Sequence, residues 1–166
     1  MLNGLYPWIV FLHVAALLGF LLAHGGSTAV AFRIPRERDP IRIAALLDLS
    51  AGAYGSSYAF LGLLVGTGVA MAFIGGFWSR GWIWASIVVL IAMAVSMHIH
   101  PSTTFSRTRR AAGLAYFEGW RSQEARPTAP PEEILAAAAT NNPWITLAIG
   151  GGGTLFILWL MMFKPF

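Results

Sequence analysis

From position 8 to position 34 the chain reads WIVFLHVAALLGFLLAHGGSTAVAFRI, with no Asp, Glu, Lys or Arg before Arg33. Roughly 20 apolar residues in a row cross the hydrocarbon layer of a bilayer, so a membrane span is expected over about residues 6–32. The next stretch, RIPRERDPIR at 33–42, holds two prolines and four arginines, which exclude continuation through lipid. Residues 41–53 are apolar around one acid, Asp48. A second span is expected over 54–77, with Gly55, Ser56 and Ser57 marking a bend near its start. After a turn at 78–81 a third span is expected over 82–100, opened by Trp82 and Trp84 as interfacial anchors and kinked or ended by Pro101. Within the hydrophilic region 101–143, residues 107–123 read as an interfacial helix with Tyr116, Phe117 and Trp120 on its greasier side. PTAPP at 127–131 is a breaker and EEILAAAA a short helix. Asn142 reads as an N-cap with Pro143 at the first helical position, launching a fourth span over 144–163.

This pattern predicts an all-α integral membrane four-helix bundle, one domain over 1–166 with connectors at 33–53 and 101–143. Helices in lipid are held by packing rather than by hydrophobicity, so rows of small residues mark contacts. Gly62, Gly66 and Ala70 on the second span are expected to meet Ala15, Gly19 and Ala23 on the first. Four glycines at 150–153 point to close backbone contact with a neighbouring helix or a buried ligand.

Composition agrees: 57% of residues are hydrophobic and 11% charged, against about 25% charged in soluble domains. Of the 11 Lys and Arg, nine fall in the two connectors and only Arg80 and Lys164 elsewhere. By the positive-inside rule both connectors face the cytoplasm and both termini are extracytoplasmic. The same asymmetry accounts for the pI near 10.1, so no nucleic-acid partner is expected. The basic connectors suit anionic lipid headgroups. No cysteine is present, which excludes disulfides and thiolate metal sites. The first apolar run is too long for a signal peptide. Ten arginines to one lysine hint at a bacterial source and hence at a bacterial cytoplasmic (inner) membrane.

Candidate chemistry rests on four histidines. His13 and His24 lie eleven residues apart on one stripe of the first span, with His24 about 16 Å deeper. His98 and His100, on the third span, lie at a depth close to that of His24 and point about 200° apart. The candidate pair is His24 with His100, because His100 continues the small row of Ala92 and Ser96. Two neutral imidazoles on neighbouring helices can hold b-type haem, here between helices 1 and 3. Copper or zinc would need further donors, of which Met97 and Asp48 are the nearest in depth. His13 has Met71 and Met93 as soft groups near its level, and Met/His ligation of haem exists. Against all of these stands the plain structural role of an intramembrane histidine that bonds a neighbouring helix. Asp48 is expected to pair with one of the connector arginines, Arg42 being the nearest in sequence, with proton handling as the alternative. Tyr54 and Tyr58 fit either a quinone contact or the interfacial belt. No phosphate loop, HExxH or activated nucleophile is present.

The strings FLHVAALLGF, LVGTGVAMAFIGGFW, GWIWASIVVLIAM and MHIHP resemble a group of uncharacterised bacterial four-helix membrane proteins. Those are similar in turn to the membrane domain of copper-resistance protein D. The likeness covers about residues 5–110. It implies a helical bundle and a metal or haem role for a histidine such as His13, and nothing for His24, His98 or His100. Three functions follow as expectations: a redox subunit carrying haem b and exchanging electrons with a quinone or partner, an accessory subunit of a larger respiratory or photosynthetic complex, and a copper-handling protein. Lipids, other membrane subunits and a homo-oligomer are the expected partners.

Overall fold

The computed structural model describes residues 2–118 and 121–166, without the side chains of Leu2, Asn3, His98 and residues 100–104. Among these residues the chain is mostly helical. Three long helices, α1 (Leu2–Arg33), α2 (Pro40–Ile74) and α3 (Gly81–Ala111), are followed by a two-stranded hairpin, β1 (Tyr116–Glu118) and β2 (Arg121–Gln123). A short helix α4 (Pro131–Ala139) then leads into a last apolar segment. That segment is α5 (Pro143–Leu147), a π-helical turn Ala148–Gly152, and α6 (Gly153–Phe163). Three stretches are long and apolar enough to cross a membrane: Gly4–Arg36, Pro40–Ile74 and Pro143–Phe163. The apolar part of α3, Gly81–Met97, is shorter. The chain is thus a mostly helical membrane protein; the hairpin and the division of the last apolar segment into α5, a π turn and α6 depart from the plain bundle expected from the pattern.

Ser27 meets Ser50, Gly19 meets Phe60 and His13 meets Thr67, so α1 and α2 run antiparallel. They form the most extensive helix contact in the molecule. The last apolar segment touches α1 at His24 and α3 at Met93. It therefore lies between those two helices at this level.

The helices are longer than their apolar runs because the polar sequence ends them late. Asp39 caps α2: its carboxylate accepts from the Ile41 N–H at 2.9 Å, with Pro40 at the first position. Residues 41–53 are consequently the first turns of α2, and no bend interrupts the helix at Gly55, Ser56 and Ser57. Likewise α3 runs through Pro101 to Ala111 and ends where Gly113 turns at φ 74°. An interior proline costs a helix about 3 kcal/mol. Beyond Pro101, however, Thr108, Ala111 and Ala112 are buried at the connector end, and that burial offsets the loss. The expected surface helix over 107–123 is instead the end of α3 and the hairpin. Tyr116 is buried there with the Arg126 guanidinium 5.8 Å from its ring centre, and Phe117 faces out. Trp120 lies outside the described residues. The helix after PTAPP and the Asn142 cap are present as expected, the Asn142 side chain accepting from the Trp144 N–H at 3.1 Å.

Two apolar clusters close the two ends. At the connector end Val30, Ile34, Ile43, Leu47, Ala111, Ala112, Ile134 and Ala138 pack together. At the turn end Ala72, Trp82, Ile83 and Leu160 do so.

Candidate functional site

The glycines of the last segment are the centre of the site. Gly150 lies inside the π-helical turn, and a side chain there would collide with the His24 imidazole. Gly153 stands in the same relation to the Met93 thioether. One turn of the segment thus receives a ring from α1 on one side and a sulfur from α3 on the other. A π turn widens a helix and occurs often at functional positions. Here its carbonyl at Gly150 accepts from the Thr154 hydroxyl at 2.7 Å, as the His24 carbonyl does from Thr28 at 2.9 Å. Both backbone carbonyls are thereby satisfied on either side of the contact.

His24 stacks on Phe20, ring centres 5.6 Å apart and planes 4° from parallel. Its Nε2 is buried and has no hydrogen-bond partner among the described residues. That nitrogen lies against the open side of Gly150, where a side chain there would have to stand. The gap expected between helices 1 and 3 is filled at this level by the last segment. The side chains of His98 and His100 lie outside the described residues, so the His24 and His100 pair has no geometry to report. Met93 is near the level of His24 rather than that of His13, because Gly153 is only about 4.5 Å of helix rise from Gly150.

His13 is held differently. The Thr67 hydroxyl donates to the Leu63 carbonyl at 2.7 Å, so its oxygen accepts from His13 Nδ1, 3.0 Å away. That exchange puts the ring proton on Nδ1 and leaves Nε2 as the acceptor. Metal-bound histidines are commonly oriented by such a second hydrogen bond. Gly68 makes room for the ring, since a Cβ there would lie 3.2 Å from His13 Cε1. His13, a candidate with Met71 and Met93 expected near its level, thus meets Thr67 and Gly68 of α2 across the helix contact.

Among the described residues no group of three or more His, Asp or Glu side chains could hold a metal. Asp48 pairs with Arg109, at 3.3 Å, and not with Arg42, which pairs with Asp39 at 3.5 Å. Arg109 reaches further, donating to the Leu47 carbonyl at 2.9 Å and to the Ala115 carbonyl. It therefore ties α2 and the hairpin to the end of α3, a role that leaves Asp48 structural. Tyr54 and Tyr58 bond each other, hydroxyl to hydroxyl, at 2.7 Å.

The small rows do not meet as expected. Gly19 is filled by the Phe60 ring, while Gly62 and Gly66 have nothing within 4 Å of a would-be side chain. Among the α2 residues that face α1 are Ser50, Phe60, Thr67 and Gly68. Gly52, Gly55, Ala59, Gly62 and Gly66, spaced by three and four, form an exposed row on another face of the helix. No family model, curated protein or solved structure matches the chain.

Proposed function

We propose that this chain is a four-helix subunit of the bacterial inner membrane whose work is assembly: it lays one face of α2 against a larger membrane complex. The observation that carries the reading is the exposed row from Gly52 to Gly66, whose glycines all open on empty space. In lipid, such rows are where backbones of neighbouring helices approach. The α1-facing side of α2 is already covered, so the row is left for another protein. The apolar part of α3 supplies the fourth crossing, and the arginine-rich connectors put both chain ends outside the cytoplasm.

The chain has no cysteine, so Gly62→Cys and Gly66→Cys introduce the sole thiols for cross-linking in native membranes. A discrete adduct with another membrane protein supports the reading. A thiol that takes up a lipid-soluble maleimide but yields no adduct overturns it.

The buried Nε2 of His24, without a hydrogen-bond partner among the described residues, favours a second reading, the redox subunit with b-type haem on His24 and His100. It requires the last segment to withdraw from His24. Reduced haem bands in the purified protein, lost in His24→Ala, would support it; a colourless protein from haem-supplied cells would sink it.

A further inference from the structure

At the turn end of the molecule an open pocket of about 360 Å³ is lined by Tyr6, Ile74, Gly75 and Phe77. Its construction begins with two glycines. Gly76 turns the chain at φ 64°, and the Phe77 ring folds back onto Gly75, where any side chain would strike it. The ring therefore lies across the C-terminal end of a 35-residue helix. A cation stands beside the same ring: Lys164 Nζ is 5.7 Å from the Phe77 ring centre and 5.7 Å from that of Trp82. Lys164 is held there by the hook of the last residues, in which the Trp82 N–H donates to the Phe166 carbonyl at 3.2 Å. Every Asp and Glu of the chain lies between positions 37 and 133. None is adjacent in sequence to this end.

These features select a ligand. Two aromatic residues and the negative pole of a helix favour a positive group that is not paired to a carboxylate. A lysine ammonium beside the same ring favours a negative group next to it. We propose that this pocket binds the headgroup of a zwitterionic phospholipid, its ammonium between Tyr6 and Phe77 and its phosphate beside Lys164. A lipid is the source because Trp78, Trp82 and Trp84 cluster at the same end, as side chains do at a membrane surface. The proposal needs only that this end stands at a membrane surface, and it is independent of what α2 packs against.

The test is native mass spectrometry of the full chain released from detergent with phosphatidylethanolamine or phosphatidylglycerol of identical acyl chains. The arginine-rich connectors take up the anionic lipid alike in every variant, so the readout is each variant's phosphatidylethanolamine-to-phosphatidylglycerol ratio against that of the wild type. It is expected to fall about threefold in Tyr6→Leu and Phe77→Leu, the fold-change a surface cation–π contact supplies, and to hold in Tyr6→Phe. Tyr6 belongs to neither apolar cluster, so its variant reads the pocket even if Phe77→Leu fails to fold. A ratio unchanged in Tyr6→Leu overturns the proposal.

Discussion

The connector end and the membrane-length middle of this molecule are built inside out from each other. The connector end has an aliphatic core, with Ile34, Ile43 and Leu47 fully buried beside the exposed Ile41, and its arginines and carboxylates are outside or paired. In the middle the large side chains point outward, Leu22 at 79% and Val88 at 64% exposure, and the helix contacts use Ala16, Ser57, His13 and glycines. The difference is one of solvent. Burying a leucine from water contributes about 2 kcal/mol; from lipid it gains nothing, and close packing and hydrogen bonds are what remain.

The largest effect should come from deleting bulk where water supplies the driving force. Ile43→Ala is expected to cost about 2–5 kcal/mol, whereas Leu22→Ala should stay within about 0.5 kcal/mol, both read by chemical unfolding in micelles. Equal costs would mean that the connector end is itself embedded in lipid. Next comes the middle's own mode of packing. Gly150→Ala should cost about 1–3 kcal/mol because the new methyl meets the His24 ring. Gly152→Ala, with open space around it, should be close to neutral. Adding His24→Ala to Gly150→Ala should recover part of the loss; strict additivity would dissolve the contact.

Smaller still is the ion pair at the connector end. Asp48 is largely exposed, so Asp48→Ala should cost less than about 1 kcal/mol, and much less in high salt.

The last prediction concerns acid. The Arg38 N–H foremost, then the Asp39 N–H and the Arg33 guanidinium, hold the Glu37 carboxyl below its usual range, against the opposing effect of burial. A carboxyl that is more acidic folded than unfolded adds stability above its unfolded pKa. That contribution fades as the pH falls through the folded value. Glu37→Gln removes the charge, so it should lower stability at neutral pH and match the wild type in acid, flattening the acid side of the stability profile. A profile unchanged from the wild type would show that Glu37 has no part in it.

The apolar runs, the Asn142 cap and the short helix after PTAPP were legible because each rests on a local rule. Asp39 and Pro40 carry the same signature as Asn142 and Pro143, yet the surrounding arginines masked it as a connector. Pro101 does not end α3, for the opposite reason: a local breaker is overridden by burial of residues up to eleven positions beyond it. Facing directions were the least legible. The row at Gly62 and Gly66 was correctly seen as small and wrongly aimed, because spacing fixes which residues share a face and not what that face meets.

The sequence by itself determined that this is a helical membrane protein, where its apolar runs lie, and on which side its charges gather. Those follow from the length of apolar runs and the impossibility of carrying arginine clusters through lipid, which no tertiary contact can reverse. Only the tertiary structure decided that His24 faces Gly150, that His13 is oriented by Thr67, that Asp48 answers to Arg109, and that Phe77 folds over Gly75. Helix rotation within a membrane costs little in hydrophobic energy, so it is set by a few close contacts between residues far apart in the chain.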